Sequence, residues 1–365
     1  MPKRGIVTDE GGVMKAARLY EYNKDFDVSV RLVDVPDPEI TGPSDVIVKI
    51  GGAGVCRTDL HLIEAVWQDA LGDPALPYTL GHENAGWIEE VGSAVTGLRK
   101  GDPVIMHPLM TCGLCRPCRT GYDMACEQGK FPGLDGTDGG FAQYLKTSDR
   151  AVIKLAPGTD PVPLAPFADA GITAYHAVKK AMPFTYPGTT AVVVGVGGLG
   201  HFGVQLMKVM TPATVIALDQ NRERLDFAVS LGADHAVLAG DDGGVGEILR
   251  LTGGRGADVI LDFVAENNTP EYALKYLRPA RGGTYIVIGY GGVVAPTTLD
   301  MISKEINIIG SIVGSSAELT ELMELNRQGR VHISATTFPM SEYHRALLEL
   351  DKGHVLGRGV LVPDF

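Results

Sequence analysis

The stretch TAVVVGVGGLG, Thr190 to Gly200, runs a strand directly into a glycine loop. Thr190 to Val194 is apolar and mostly β-branched, the composition of a strand buried on both faces of a parallel sheet. The next six residues, Gly195-Val196-Gly197-Gly198-Leu199-Gly200, match G-x-G-x-x-G. In that pattern Gly195 permits a tight turn, Gly197 lets a pyrophosphate approach the backbone, and Gly200 lets the following helix pack closely. The helix then offers its first N–H groups to phosphates. Alone, such a string is often only a turn, but its surroundings support more. A second apolar strand, Thr214 to Leu218, ends at Asp219, nineteen residues beyond Gly200. A carboxylate there can accept hydrogen bonds from the adenosine ribose hydroxyls of NAD and would repel the extra phosphate of NADP. Arg222 and Arg224 stand nearby, and a guanidinium could hold that phosphate; their other reading is a solvated helix face.

The alternation continues outward. Asp258 to Asp262 and Thr284 to Ile288 read as further strands, with helices over Asn221 to Leu231 and Thr269 to Leu277. This is the pattern of a doubly wound α/β sheet. Ser315 and Glu318 form a capping box ahead of an apolar-periodic helix reaching about Asn326. A chain of 365 residues has room for two domains. Its 32 Lys and Arg against 44 Asp and Glu leave a net charge of −12, and without a basic block this argues against nucleic acid and anionic membranes.

Four of the five cysteines, Cys112, Cys115, Cys118 and Cys126, are spaced C-x2-C-x2-C-x7-C. Four thiolates gathered by tight turns suit the tetrahedral demand of a structural zinc. Disulfides are the competing reading, but the cysteine count is odd and the chain far exceeds a disulfide-stapled mini-domain. Met1 to Val13 also lacks the apolar run of a signal peptide, so a cytoplasmic protein is expected. Cys56 lies apart, in Cys56-Arg57-Thr58-Asp59-Leu60-His61, with Gly81-His82-Glu83 further on. A thiolate and an imidazole are part of a catalytic zinc shell, which needs three protein ligands and an open position. Asp169, in Phe167-Ala168-Asp169-Ala170-Gly171, is the candidate third.

Together these pieces resemble the zinc-dependent medium-chain alcohol dehydrogenases, from about Met14 to Phe365. The matching segments are GVCRTDLH (54–61), GHENAG (81–86), the four-cysteine lobe (112–126), DGGFAQY (138–144), DAGITAYHA (169–177), GVGGLG (195–200) and GRGVLVP (357–363). The resemblance implies a GroES-like β catalytic domain over residues 1–170 carrying two zinc sites, a Rossmann NAD-binding domain over 171–313, and a return to the catalytic domain over 314–365. The cleft between them would be the active site. The family's third catalytic ligand is commonly cysteine; this chain departs from that with Asp169, and Glu83 could compete for the metal in some states.

The resemblance also implies roles. Zinc on Cys56, His82 and Asp169 would act as a Lewis acid on the substrate oxygen, and hydride would pass between the alcohol carbon and the nicotinamide. Thr58 would start a proton relay ending at His61, a histidine whose ordinary pKa suits exchange with water. Asp59 would orient His82 and Glu83 would modulate the metal's field. Arg57 and Arg358 would meet the cofactor pyrophosphate, and Trp67, Leu109 and Val313 would wall an apolar substrate pocket. His107, His176 and His201 are read as structural. An apolar alcohol, secondary or aromatic, is the expected substrate, with the carbonyl as product. Polyol, aldehyde or formaldehyde-type zinc dehydrogenases are the alternative, and a catalytically silent NAD-binding protein is a further one. Relatives of this kind are tetramers or dimers.

Overall fold

The computed structural model describes residues 12–66, 74–278, 280 and 282–365. The stretch Thr190–Val194 is a strand, buried along its length, at the centre of a six-stranded parallel sheet. The order across that sheet is His235–Leu238, Thr214–Asp219, Thr190–Val194, Val259–Asp262, Thr284–Val287 and Asn307–Gly310. Chain order reverses at Thr190–Val194, and doubly wound sheets open a ligand crevice at the carboxyl ends of strands at such a point. The expected helices form as Arg222–Ser230 and Thr269–Tyr276. Asn221 does not enter the first of them: its side chain accepts from the N–H groups of Glu223 and Arg224 and caps the helix. His235–Leu238 and Asn307–Gly310, not anticipated as strands, complete the two edges of the sheet.

A second sheet of seven strands has the order Ala335–Pro339, Arg358–Val362, Asp45–Val55, Glu83–Val91, Pro103–Met106 and Val152–Lys154, with Tyr144–Ser148 also paired to Asp45–Val55. A three-stranded sheet, Val30–Pro36, Val13–Leu19 and Tyr78–Thr79, completes the β part. The chain therefore leaves this β region after Lys154, builds the parallel sheet, and returns at Ala335.

The two parts share a core. Helix Ala170–Ala181 is buried on nearly every side, between the glycine-loop helix Gly200–Met210 and helix Ser316–Arg327. Phe167, just before it, meets Phe202 edge-on with ring centroids 4.8 Å apart. Such aromatic pairs add about 1 kcal/mol to the burial itself. The capping box forms as read: Ser315 Oγ accepts from Glu318 N, and Glu318 Oε2 accepts from Ser315 N at 2.8 Å. Among the described residues no helix is long and apolar enough to cross a membrane.

Candidate active site and metal centres

One cavity of about 1310 Å³ runs between the two sheets, lined at one end by Cys56, His82 and Asp169 and at the other by Asp219 and Arg224. Cys56 follows strand Asp45–Val55, His82 precedes strand Glu83–Val91, and Asp169 stands at the head of helix Ala170–Ala181. Ligand atoms of Cys56, His82, Glu83 and Asp169 all lie within 4.8 Å of one another. His82 Nε2 is 3.5 Å from Asp169 Oδ2, and His82 Nδ1 is 3.3 Å from Asp59 Oδ1. Both ring nitrogens are buried without a hydrogen bond of ordinary geometry. Such a set calls for positive charge at its centre: burial works against protonating His82, yet the Asp59 charge and the nearness of Asp169 and Cys56 raise its pKa well above the usual value. A cation meets the same demand, with Asp59 behind the imidazole as an orienting carboxylate. Asp59 Oδ2 also accepts from Cys56 N at 2.8 Å, tying both groups to one side chain.

Glu83 is fully buried and turned toward Arg358, whose Nε donates to Oε2 at 3.0 Å and whose Nη2 donates to Oε1. Ala170 N donates to the same Oε1 at 3.1 Å. Burial pushes the Glu83 carboxyl upward, and the Arg358 charge only partly offsets this. Arg358 is only 3% exposed, so it is neither an ordinary surface arginine nor only a phosphate contact. Its Nη1 lies 2.1 Å from where a Cβ on Gly198 would be, so the guanidinium packs beneath the glycine loop and still reaches the cavity.

The glycine loop has a geometry that side chains would disturb. Gly195 has a φ of +81°, open to glycine at little cost, and a Cβ on Gly200 would fall 1.7 Å from the Gly195 carbonyl oxygen. A Cβ on Gly197 would meet nothing within 4 Å, which leaves a cradle open to the cavity where a pyrophosphate would approach. Leu199 lines the same wall. Asp219 Oδ2 accepts from Val196 N at 2.7 Å and Oδ1 from Asn221 N at 2.9 Å, which fixes the carboxylate at the end of the second strand. Arg224 lines this end too, its Nη2 donating to Gly353 O at 3.1 Å.

Arg57, Thr58 and His61 all face the cavity. Arg57 is exposed, with Nε 3.9 Å from Glu266 Oε1. His61 Nδ1 contacts the Tyr290 hydroxyl, and the rings meet edge-on at 5.0 Å. Burial, helped by the Arg57 charge, pulls the His61 pKa down to about 4.

Val313 lines the cavity, but Leu109 does not. The Leu109 side chain packs on the core beside Gly129 in the cysteine lobe, while its backbone N–H donates to His107 Nδ1 at 3.3 Å. Trp67 lies outside the described residues. Phe131, Leu134 and Thr173 form walls that the sequence reading did not name, and neither did it name Tyr290. A sign of Tyr290 was present: it follows strand Thr284–Val287 within Gly289-Tyr290-Gly291, at the carboxyl edge where these sheets bind ligands.

The four lobe cysteines are free thiols with sulfurs mutually within 4.8 Å, and Cys115 Sγ lies 3.8 Å from Cys126 Sγ. Zinc–sulfur bonds of about 2.3 Å in a tetrahedron require sulfurs roughly 3.8 Å apart. Leu114 N and Cys115 N each donate to Cys112 Sγ at 3.4 Å, and these backbone donors pull the Cys112 pKa down to about 6. The donor set and its spacing fit zinc.

Fold and site together give a parallel sheet with a dinucleotide-type glycine loop, a β region packed on it, and two side-chain clusters that could each hold a metal ion. Comparison with known proteins agrees: residues 42–157 match the alcohol dehydrogenase GroES-like domain and residues 198–328 the zinc-binding dehydrogenase domain. The NAD-dependent alcohol dehydrogenase of Sulfurisphaera tokodaii is 35% identical, over 96% of this chain and all of the relative. The D-arabinose 1-dehydrogenase (NADP(+)) of Saccharolobus solfataricus is also 35% identical, over 96% of this chain and 97% of the relative. The crystal structure of the alcohol dehydrogenase from Aeropyrum pernix superposes with a TM-score of 0.91 at 52% identity, covering 96% of this chain and all of that one. The chain belongs to the zinc-dependent medium-chain alcohol dehydrogenase family.

Proposed function

We propose that the protein is an NAD-dependent zinc alcohol dehydrogenase that reversibly oxidises an alcohol bearing an apolar substituent to its ketone or aldehyde. The supporting observation is that Cys56, His82 and Asp169 face the same cavity as the open cradle at Gly197. Cys56, His82 and Asp169 would hold the catalytic ion and Cys112, Cys115, Cys118 and Cys126 a structural one. A zinc ion at the former would supply Lewis acidity of the kind that lowers the pKa of water from 15.7 to about 7. Asp59 orients His82 from behind. Thr58, whose hydroxyl both accepts and donates, takes the substrate proton and passes it toward His61. Burial keeps the His61 ring neutral but makes it a weaker base than the ordinary imidazole the sequence suggested, so it would hand the proton on to water rather than hold it; the Tyr290 hydroxyl contacts the ring.

The loop N–H groups, Arg57 and the Nη1 side of Arg358 would bind the pyrophosphate. Asp219, already fixed by two backbone donors, favours NAD over NADP. Phe131, Leu134 and Val313 desolvate the apolar part of the substrate. The edge strand Asn307–Gly310 and the nearby exposed side chains Leu299 and Ile302, 70% and 73% exposed, support association into a dimer or tetramer. Free lobe thiols suit the reducing cytoplasm.

The test is nicotinamide absorbance on mixing the protein with NAD+ or NADP+ and primary, secondary, benzylic and polyhydroxy alcohols. Reduction of NAD+ by apolar alcohols, abolished in Cys56→Ser with the fold retained, is expected. A preference for polyols, or full activity in Cys56→Ser, would overturn this assignment.

A further inference from the structure

The cysteine lobe is built into the substrate end of the cavity through residues to which the mechanism gives no role. Val313 lines the cavity, is 6% exposed, and has a φ of +48°. A β-branched residue in the left-handed region is strained and persists only where its neighbours over-determine it. Besides the Ser315–Glu318 capping box, two such neighbours come from the other side of the cavity. His107, at the end of strand Pro103–Met106, points Nε2 at the Gly314 carbonyl at 2.8 Å. Asp123, inside the lobe between Cys118 and Cys126, accepts from Ser316 N at 3.1 Å and from Ser316 Oγ at 2.5 Å. Both donors to Asp123 lie three residues beyond Val313, and the His107 bond lies one residue beyond it. Asp123 and His107 are 5% and 3% exposed, so these bonds are largely shielded from water.

We propose that Asp123 and His107 are positioning residues that hold the Val313 wall in its left-handed conformation, so that the cysteine lobe sets which alcohols the pocket accepts. This rests on reading the cavity as the alcohol site. The physical basis is simple: releasing the 314–316 anchor lets Val313 relax to an ordinary φ, which moves its side chain and reshapes the wall.

Hydrogen exchange on the metal-loaded, full-length protein tests the anchoring without any substrate. Asp123→Ala and His107→Phe should each speed exchange of the amides in segment 311–316 by about tenfold or more, since a charged or buried hydrogen bond is lost. Asp123→Asn, which still accepts from Ser316 N, should give a smaller change. In turnover, KM for bulky alcohols relative to ethanol should shift several-fold, while NAD+ affinity and bound zinc stay constant. Placing Asp123→Ala in a Val313→Gly background should erase most of that shift, because glycine needs no anchor at this φ. Unchanged exchange in both single variants would overturn the anchoring. Faster exchange with an unchanged alcohol preference would overturn the selectivity role. Wild-type protein inert to every alcohol would sink the alcohol reading, while the exchange result would still decide the anchoring.

Discussion

Replacing Arg358 with methionine should destabilise the protein by about 3–5 kcal/mol, the usual cost of leaving one charge of a buried pair alone. The structure puts this variant at the severe end. Glu83 has no exposure, Arg358 has 3%, and two hydrogen bonds link them across 275 residues of sequence. Without the guanidinium, the carboxylate keeps only Ala170 N as a donor and still faces Asp169 in the metal cluster. The carboxyl can escape by taking up a proton, which gives the effect a sign. In the variant its folded pKa climbs further above the unfolded value, so the folded state binds the extra proton. Stability from this group is then present at low pH and lost as pH rises through the folded pKa. The deficit should therefore be larger at pH 8 than at pH 5.5. Urea unfolding of metal-loaded protein, followed by far-ultraviolet circular dichroism at both pH values, measures it. Glu83→Gln added to Arg358→Met should recover about half of the loss, since no charge remains to be stranded. A single variant losing less than about 1 kcal/mol would refute the reasoning, as would a double variant whose loss equals the sum of the two singles.

Two further outcomes are expected. His201 is fully buried and burial pulls its pKa down to about 4, so its contribution to stability is present above pH 6.5 and is lost as pH falls toward 4. That loss amounts to about 3 kcal/mol in total and about 2 kcal/mol by pH 5. His201→Leu should lose about 1 kcal/mol at pH 7 with the Gly197 hydrogen bond, yet decline less steeply in acid. Equal slopes in urea titrations at pH 7 and pH 5 would count against it. Cys115→Ser should leave the protein one zinc poorer per chain by elemental analysis and expose residues 112–126 to protease, with the Cys56 ion still bound. A full metal complement would contradict the cage.

Much of the cofactor side was legible because its chemistry is local. Gly195, Gly197 and Gly200 act within one turn, Asp219 follows at a fixed distance, and the four lobe cysteines close on themselves over a short segment. The grouping of Cys56, His82 and Asp169 was suggested by ligand chemistry and by resemblance, since no local period links them. What escaped were pairings between distant segments. Nothing beside Arg358 announces Glu83, and nothing beside Asp123 announces Ser316. Leu109 lies off the cavity, its backbone N–H held to His107 Nδ1, and hydropathy alone gave no sign of that. The edge strands His235–Leu238 and Asn307–Gly310 are exposed or half-buried along most of their length, so they lack the buried apolar run that marks the equally short Val259–Asp262 and Thr284–Val287.

The position of Asp169 has a consequence beyond the ligation proposed for it. Cys56 and His82 belong to the β region, whereas Asp169 heads a helix that leans on the glycine-loop helix of the parallel sheet. An ion held by all three would tie the β region to the junction where the turn Val162–Ala168, packed on that region, passes into the helix that leans on the parallel sheet. Its binding energy is then shared with the contact between the halves, and linkage works in both directions. Whatever loosens the grip of one half on the other weakens the hold on the metal, and a chelator loosens the seam along which the cofactor enters.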